Sequence, residues 1–142
     1  MDSELDRIAE KLEKQVWEQF SETVFDHAKN PRNFGVIKGE DGHATVTGQC
    51  GDKIQIWLKL SNDLISEISF WTNGCGTSIA SGSMVTELAK GKSVDKALQI
   101  TPLDVLKALG GLPEEDVHCA FLAVNTLHEA IKNCLEAGKD GK

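Results

Sequence analysis

Three of the four cysteines lie beside glycine or histidine, in the segments Cys50-Gly51-Asp52, Gly74-Cys75-Gly76 and His118-Cys119. A protein that holds an iron–sulfur centre permanently normally supplies four thiolates. Three thiolates completed by the carboxylate of Asp52 or the imidazole of His118 would leave a harder and weaker fourth ligand. The pattern therefore predicts a metal centre that can be released.

Composition restricts the classes of function. The chain has 142 residues, of which 40% are hydrophobic and 26% charged, enough for one globular domain with its own core and too few to expect two. Its 15 basic and 22 acidic residues give a net charge of −7, which argues against a nucleic-acid partner. We expect a single domain over residues 1–142, with flexible ends at 1–14 and 138–142.

The hydropathy pattern and the cysteine spacing favour an intracellular protein. Met1–Glu10 is charged, and no stretch approaches the roughly eighteen apolar residues that a membrane span requires. The cysteines form no C-x-x-C pair, so they are better explained as ligands, nucleophiles or core residues than as disulfides. We therefore expect a cytoplasmic protein without a membrane segment.

Helical spacing of apolar residues marks much of the chain. The first pattern runs from Ser3 to about Lys29 and should end before Asn30-Pro31, because proline cannot continue a helix. Later patterns predict helices over residues 77–90, 93–99 and 102–109, and a long helix from near Pro113 to about Ala137.

Alternating apolar residues between the first two helices predict three strands joined by short turns, over residues 43–48, 53–60 and 65–71. In the third strand we expect Ser66, Ile68 and Phe70 to share one face. Such strands form an antiparallel meander. The predicted fold class is α+β, a three-stranded antiparallel sheet packed with about five helices.

The up-down-up path of this meander brings distant residues together. The turn after the first strand and the end of the third strand lie at the same edge of the sheet, so Cys50, Asp52 and Cys75 should meet there. Cys75 also precedes the 77–90 helix, whose N-terminal amides should lower the pKa of its thiol. The carboxylate of Asp52 is as readily explained as a cap of the turn as it is as a metal ligand.

The last helix separates the two C-terminal cysteines. Its apolar stripe includes Phe121 and Leu135, and Cys119 lies roughly 125° from the centre of that stripe, so we do not expect Cys119 in the core. Cys134 lies at the edge of the stripe, about 22 Å along the helix from Cys119, and is best explained as a small buried hydrophobic residue. His118 could bind metal or relay protons. Structural or surface roles are expected for the other histidines, His27, His43 and His128.

Several short motifs follow one another along the chain. They are Asn30–Gly35, Cys50-Gly51-Asp52, Gly74-Cys75-Gly76 followed by Ser78–Ser83, Thr86-Glu87, Gly91-Lys92, and Leu112-Pro113 leading to His118-Cys119. In this order they closely resemble the IscU/NifU N-terminal family of iron–sulfur cluster scaffold proteins. The likeness covers about residues 15–135, and it implies the same α+β fold that the strand and helix patterns predict.

The resemblance also implies a function, that of a non-enzymatic scaffold. Sulfur delivered as persulfide by a cysteine desulfurase would combine with iron and with electrons, for example from a ferredoxin, into a [2Fe–2S] cluster for transfer to apo-proteins. The family pattern assigns cluster binding to Cys50, Cys75 and Cys119, lability to Asp52 and a fourth-ligand role to His118. It makes Cys119 the persulfide acceptor, with Cys75 as a second candidate. Zinc can occupy the same site, and a homo-oligomer can form around the cluster.

One departure concerns the segment before the His-Cys pair. Many bacterial members carry Leu-Pro-Pro-Val-Lys there, read by a dedicated chaperone, whereas this chain has Leu112-Pro113 followed by Glu114-Glu115-Asp116, so chaperone-assisted transfer of that type is not expected. Two alternatives stay open. One is a zinc-dependent sulfur acceptor of the SufU type, although the insertion typical of that type is missing, and the other is a structural zinc-binding interaction module.

Overall fold

The computed structural model describes residues 20–49 and 51–140, with side chains up to residue 137. The elements of this part follow in the order α1 (Glu22–Lys29), β1 (Gly42–Thr47), β2 (Lys53–Ser61), β3 (Leu64–Thr72), α2 (Gly76–Ala89), α3 (Val94–Leu98), α4 (Pro102–Leu109), a 3-10 turn (Glu114–Asp116) and α5 (Val117–Asp140). No helix in the described ranges is both long and apolar enough to cross a membrane.

The three strands form one sheet in the order β1-β2-β3, and both pairings are antiparallel. The predicted meander and its α+β class are therefore confirmed. Helix α5 packs on β1 and β2, and α2 packs on β3. The central strand supplies the middle of the core through Ile54, Ile56 and Leu58, which are fully buried.

A β-bulge changes the alternation in β3. The pairing shifts between Lys59 and Leu60, so that Leu60 faces Ile65 while Lys59 faces Glu67. Ser66 is the extra residue, and both Ser66 and Glu67 are exposed whereas Ile65 is fully buried. The prediction that Ser66 shares a face with Ile68 and Phe70 was wrong, because a bulge resets the two-residue period of a strand.

The first helix is shorter than predicted in the described part of the chain. Ser21 has an extended backbone, and its side chain accepts a hydrogen bond from the Val24 amide, which makes it the N-cap of α1. The prediction of a continuous helix through residues 20 and 21 is therefore wrong. The part of that prediction that covers residues 3–19 lies outside the described residues. The end at Lys29, with Asn30 as C-cap, is confirmed.

Helix α2 is buried on nearly every side, since it packs against α1, α4, α5 and β3. Small side chains allow this close packing. A Cβ atom on Gly82 would lie 2.5 Å from the ring of Phe70, which is fully buried beneath it. Most of the other residues on the helix are small or polar and also buried, including Thr77, Ser78, Ala80, Ser81, Ser83 and Thr86.

The long C-terminal helix also runs close to the sheet. A Cβ atom on Gly42 of β1 would lie 2.5 Å from the carbonyl oxygen of Ala130 in α5. Its buried face differs from the predicted stripe, because Phe121 is 51% exposed and Leu135 is 43% exposed. The helix continues to Asp140, three residues beyond the predicted end at Ala137. The prediction that Cys134 is a buried hydrophobic residue is confirmed, since it is 6% exposed.

We expect Gly82→Ala to lower the free energy of unfolding by about 1–3 kcal/mol, the usual cost of forcing atoms into a filled core. The clash with Phe70 should outweigh the better helix propensity of alanine, which is worth up to about 1 kcal/mol. Urea denaturation of the metal-free protein measures the difference. Ser81→Ala is the matched control, because it changes the preceding buried residue and the Ser81 hydroxyl that it removes has no hydrogen-bond partner. A Gly82→Ala variant as stable as the wild type would contradict the close packing of α2.

Candidate functional site

Cys75 connects β3 to α2 and is the N-cap residue of that helix. Its thiol is free and exposed, and its Sγ lies 3.0 Å from Thr77 Oγ1. Burial alone would raise the pKa of Cys75, but hydrogen bonds from the Thr77 hydroxyl and from the backbone and hydroxyl of Ser78 outweigh it. The pKa of Cys75 is therefore lowered, which favours the thiolate that binds metals and attacks sulfur.

Cys119 lies in the first turn of α5 and is only 1% exposed, so the prediction that it stands outside the core was wrong. A helix that contacts only a sheet buries one stripe, but α5 also packs against α2. The Cys119 sulfur faces the first turn of α2, 3.5 Å from both Thr77 Oγ1 and Ser78 Oγ. Burial raises the pKa of the Cys119 thiol, and the charge of Asp116 adds to that effect.

Asp52 and the start of α2 meet at one edge of the sheet, as the path of the meander predicts. The Gly48 amide donates to the Asp52 carbonyl across the β1–β2 turn, and the Ser78 hydroxyl donates to Asp52 Oδ2 at 3.3 Å. Because Ser78 also contacts Cys119, it joins the carboxylate to the buried thiol. The predicted position of Cys50 lies outside the described residues.

His118 sits at the rim of this group of side chains. Its Nε2 atom lies 3.7 Å from Cys119 Sγ, within reach for a hydrogen bond involving sulfur. The side chain is exposed and also lines an open depression of about 670 Å³ bordered by Val46, Phe121 and Leu122. His118 therefore lies between the Cys119 thiol and this depression.

The remaining cysteine and histidines lie elsewhere. His27 is buried, with Nδ1 2.7 Å from the hydroxyl of Ser83, and His43 stacks on the Trp57 ring. Cys134 packs near the start of β1, far from Cys119 along the same helix. The positions of His27 and His43 fit the surface or structural roles predicted for them, and that of Cys134 fits a small buried hydrophobic residue.

Thr77 and Ser78 were missed as site residues. Within residues 20–49 and 51–140, no three His, Cys, Asp or Glu side chains form a ready metal-binding group. The Cys75 and Cys119 thiols and the Asp52 carboxylate are instead linked through these two hydroxyls. Two hydroxyl residues, two and three positions after a cysteine at a helix N-terminus, were the available signal, but they indicate little until the position of Cys119 is known.

We expect Cys75 to react with iodoacetamide before Cys119 and Cys134 in the metal-free protein. Its thiol is exposed and its pKa lowered, whereas the other two thiols are buried with raised pKa values. Peptide mapping by mass spectrometry after limiting alkylation at mildly alkaline pH measures the order. Equal or faster labelling of Cys119 would contradict the described packing of the N-terminus of α5 against α2.

Comparison with known proteins agrees with this arrangement. Residues 19–139 match the family model described as the NifU-like N terminal domain. The chain is 46% identical over 124 residues to the iron–sulfur cluster assembly scaffold protein IscU 1 of Archaeoglobus fulgidus, covering 87% of this chain and 80% of the relative. It is 43% identical over 120 residues to the iron–sulfur cluster assembly scaffold protein IscU of Aquifex aeolicus, covering 82% and 76%.

Solved structures share the fold. The N-terminal part of a nitrogen-fixing NifU-like protein from Brucella abortus superimposes with a TM-score of 0.66 at 18% identity, over 85% of this chain and 97% of that structure. At that identity the likeness concerns the fold alone, whereas the family model and the sequence relatives cover most of the chain. The meander, the thiols at its edge and these matches together place this chain in the family of NifU-like N-terminal domains.

Proposed function

We propose that this protein is a non-enzymatic scaffold on which a [2Fe–2S] cluster is assembled and from which it passes to apo-proteins. The observation that carries the proposal is the meeting of Cys75, Cys119, Asp52 and His118 at one edge of the sheet. The relatives from Archaeoglobus fulgidus and Aquifex aeolicus, which are named as iron–sulfur cluster assembly scaffolds, support it. Cys50 is the third proposed sulfur ligand.

Sulfur would reach the site as a persulfide on a cysteine desulfurase. An acceptor thiolate attacks the outer sulfur, the S–S bond of the donor breaks, and the donor cysteine leaves as a thiolate. Among the thiols that the structure describes, Cys75 is the exposed one and its pKa is lowered, so it is the acceptor among them that is accessible in this conformation. Acceptance at Cys119, the residue assigned by family pattern, requires the N-terminal turn of α5 to open first, because Cys119 is only 1% exposed.

Cluster assembly also needs electrons and access for partners. Each persulfide sulfur takes up two electrons to become sulfide, and an external donor of the ferredoxin type would supply them. The depression beside His118 leaves room for a segment of a partner next to the thiols. A cluster ligated by Cys50, Cys75 and Cys119 would be completed by Asp52, His118 or a partner's cysteine.

Anaerobic incubation with ferrous iron, cysteine and a desulfurase tests the proposal. We expect the red-brown visible absorption of a protein-bound cluster, with loss of most of that absorption in Cys75→Ser and in Cys119→Ser. Cys134→Ser is the matched control, since that thiol lies about 22 Å from Cys119 along the same helix. A colourless wild-type protein that retains zinc and accepts persulfide would instead support the sulfur-acceptor alternative. Retention of zinc without any sulfur transfer would support the interaction module.

We expect Asp52→Ala to slow the loss of an assembled cluster. The Asp52 carboxylate meets the buried thiol through Ser78, and a hard oxygen ligand holds iron less firmly than thiolate does. The half-life of the visible absorption in the presence of a chelator measures the effect. Asp95→Ala, which removes an exposed carboxylate on α3, serves as the control. An unchanged or shorter half-life in Asp52→Ala would exclude Asp52 as the labilising group.

A further inference from the structure

Two hydroxyl groups in the first turn of α2 lie between the candidate ligand atoms. We propose that Thr77 and Ser78 are positioning residues, which hold Cys75, Cys119 and Asp52 at a spacing suited to metal binding. Once metal is bound, Thr77 donates a hydrogen bond to a ligand sulfur and Ser78 donates one to the Asp52 carboxylate. The inference rests on the proposed function for the identity of the bound metal cluster. The distances on which it is argued are those of the metal-free protein.

The distances define a chain of contacts. Thr77 Oγ1 lies 3.0 Å from the Cys75 sulfur and 3.5 Å from the Cys119 sulfur, so the two sulfurs are at most about 6.5 Å apart. Ser78 Oγ lies 3.5 Å from the Cys119 sulfur and 3.3 Å from Asp52 Oδ2. Two hydroxyls therefore tie three candidate ligands, from three different elements, into one group.

The Thr77 and Ser78 hydroxyls are buried, so their hydrogen-bond contacts affect stability. Thr77 is 4% exposed and Ser78 is fully buried, and an unpartnered buried hydroxyl costs about 1–3 kcal/mol. In the middle of a helix a hydroxyl usually turns back to a carbonyl of the preceding turn, as Thr86 does with Gly82. Residues in the first turn have no such carbonyl within the helix. The Thr77 and Ser78 hydroxyls are therefore free to face the thiols and the carboxylate.

Glycine at position 74 fits the same arrangement. A Cβ atom there would lie 2.5 Å from Ser78 Oγ and 2.9 Å from Asp52 Oδ2. The Gly74 amide in turn donates to Thr72 Oγ1, whose hydroxyl donates to the Lys53 carbonyl, so the end of β3 is fastened to the start of β2. Ser78 therefore packs into a space that only glycine leaves open, which restricts where its hydroxyl can lie.

Bound metal converts both thiols to thiolates, which accept but do not donate hydrogen bonds. The Thr77 hydroxyl then donates its one proton to a ligand sulfur, and Ser78 continues to orient Asp52. Hydrogen bonds to ligand sulfur stabilise the more negative, reduced form of an iron–sulfur cluster and so raise its reduction potential. The two hydroxyls thus affect the site both before and after loading.

Anaerobic titration of the metal-free protein with cobalt(II), followed by its thiolate charge-transfer absorption, tests the positioning role. We expect Thr77→Val and Ser78→Ala each to weaken cobalt binding on the order of 10- to 100-fold, the usual effect of removing a group that orients metal ligands. Thr77→Ser, which restores the hydroxyl, should return the affinity close to that of wild type. Ser81→Ala is the matched control, because it removes a buried hydroxyl one turn further along α2 that has no hydrogen-bond partner.

A second measurement separates positioning from a merely structural effect. On reconstituted clusters, Thr77→Val should lower the midpoint reduction potential, whereas Thr77→Ser and Ser81→Ala should leave it unchanged. One outcome would contradict the inference and leave the proposed function standing. In it, wild type and Ser81→Ala assemble clusters, and Thr77→Val and Ser78→Ala have the same cobalt affinity and the same reduction potential as wild type. If wild type assembles no cluster but cobalt binding depends on both hydroxyls, the proposed function is wrong and the positioning role stands.

Discussion

The burial of α2 on nearly every side is the constraint on which the rest of the structure depends. The helix packs against β3, α1, α4 and α5 at once, and small side chains such as Ser81 and Gly82 make that possible. Gly82 rests directly on the Phe70 ring, so the helix has little freedom to slide or rotate. Its first turn is therefore placed by the core, and with it Cys75 and the two hydroxyls that follow.

The second buried contact is that of α5 with the sheet. Gly42 lets the backbone of α5 approach β1 closely, which sets the height of the helix above the sheet. At that height the first turn of α5 meets the first turn of α2, and Cys119 is enclosed between them. The candidate site is thus the point where two packed helices begin. The packing of the core therefore fixes where the first turns of these two helices lie.

The same packing places the Cys75 and Cys119 thiols in different environments. Cys75 lies at the surface with hydrogen bonds that lower its pKa, whereas burial raises the pKa of Cys119. The Thr77 hydroxyl touches both sulfurs, so the exposed and the buried thiol share one contact. For a scaffold of the kind proposed, this arrangement offers one thiol to partners while the other is shielded from solvent and oxidants.

The local sequence pattern was enough to predict most of the strands and helices, because strand alternation and helix caps depend on residues that are neighbours in the chain. The bounds of α4 and the antiparallel meander follow from such patterns and agree with the structure. The bulge at Ser66 could not be predicted, because it depends on how β3 pairs with β2 rather than on β3 itself. The N-cap at Ser21 was missed because the apolar spacing continues through it.

By itself the sequence determined which residues could bind metal, and it determined that Asp52 and Cys75 lie at one edge of the sheet, since the path of a three-stranded meander leaves no alternative. Only the tertiary structure decided that Cys119 is buried and that Thr77 and Ser78 stand between the candidate ligand atoms. The physical reason is that a helix packed on several partners buries more than one stripe. Which of its sides is covered depends on elements distant in the chain.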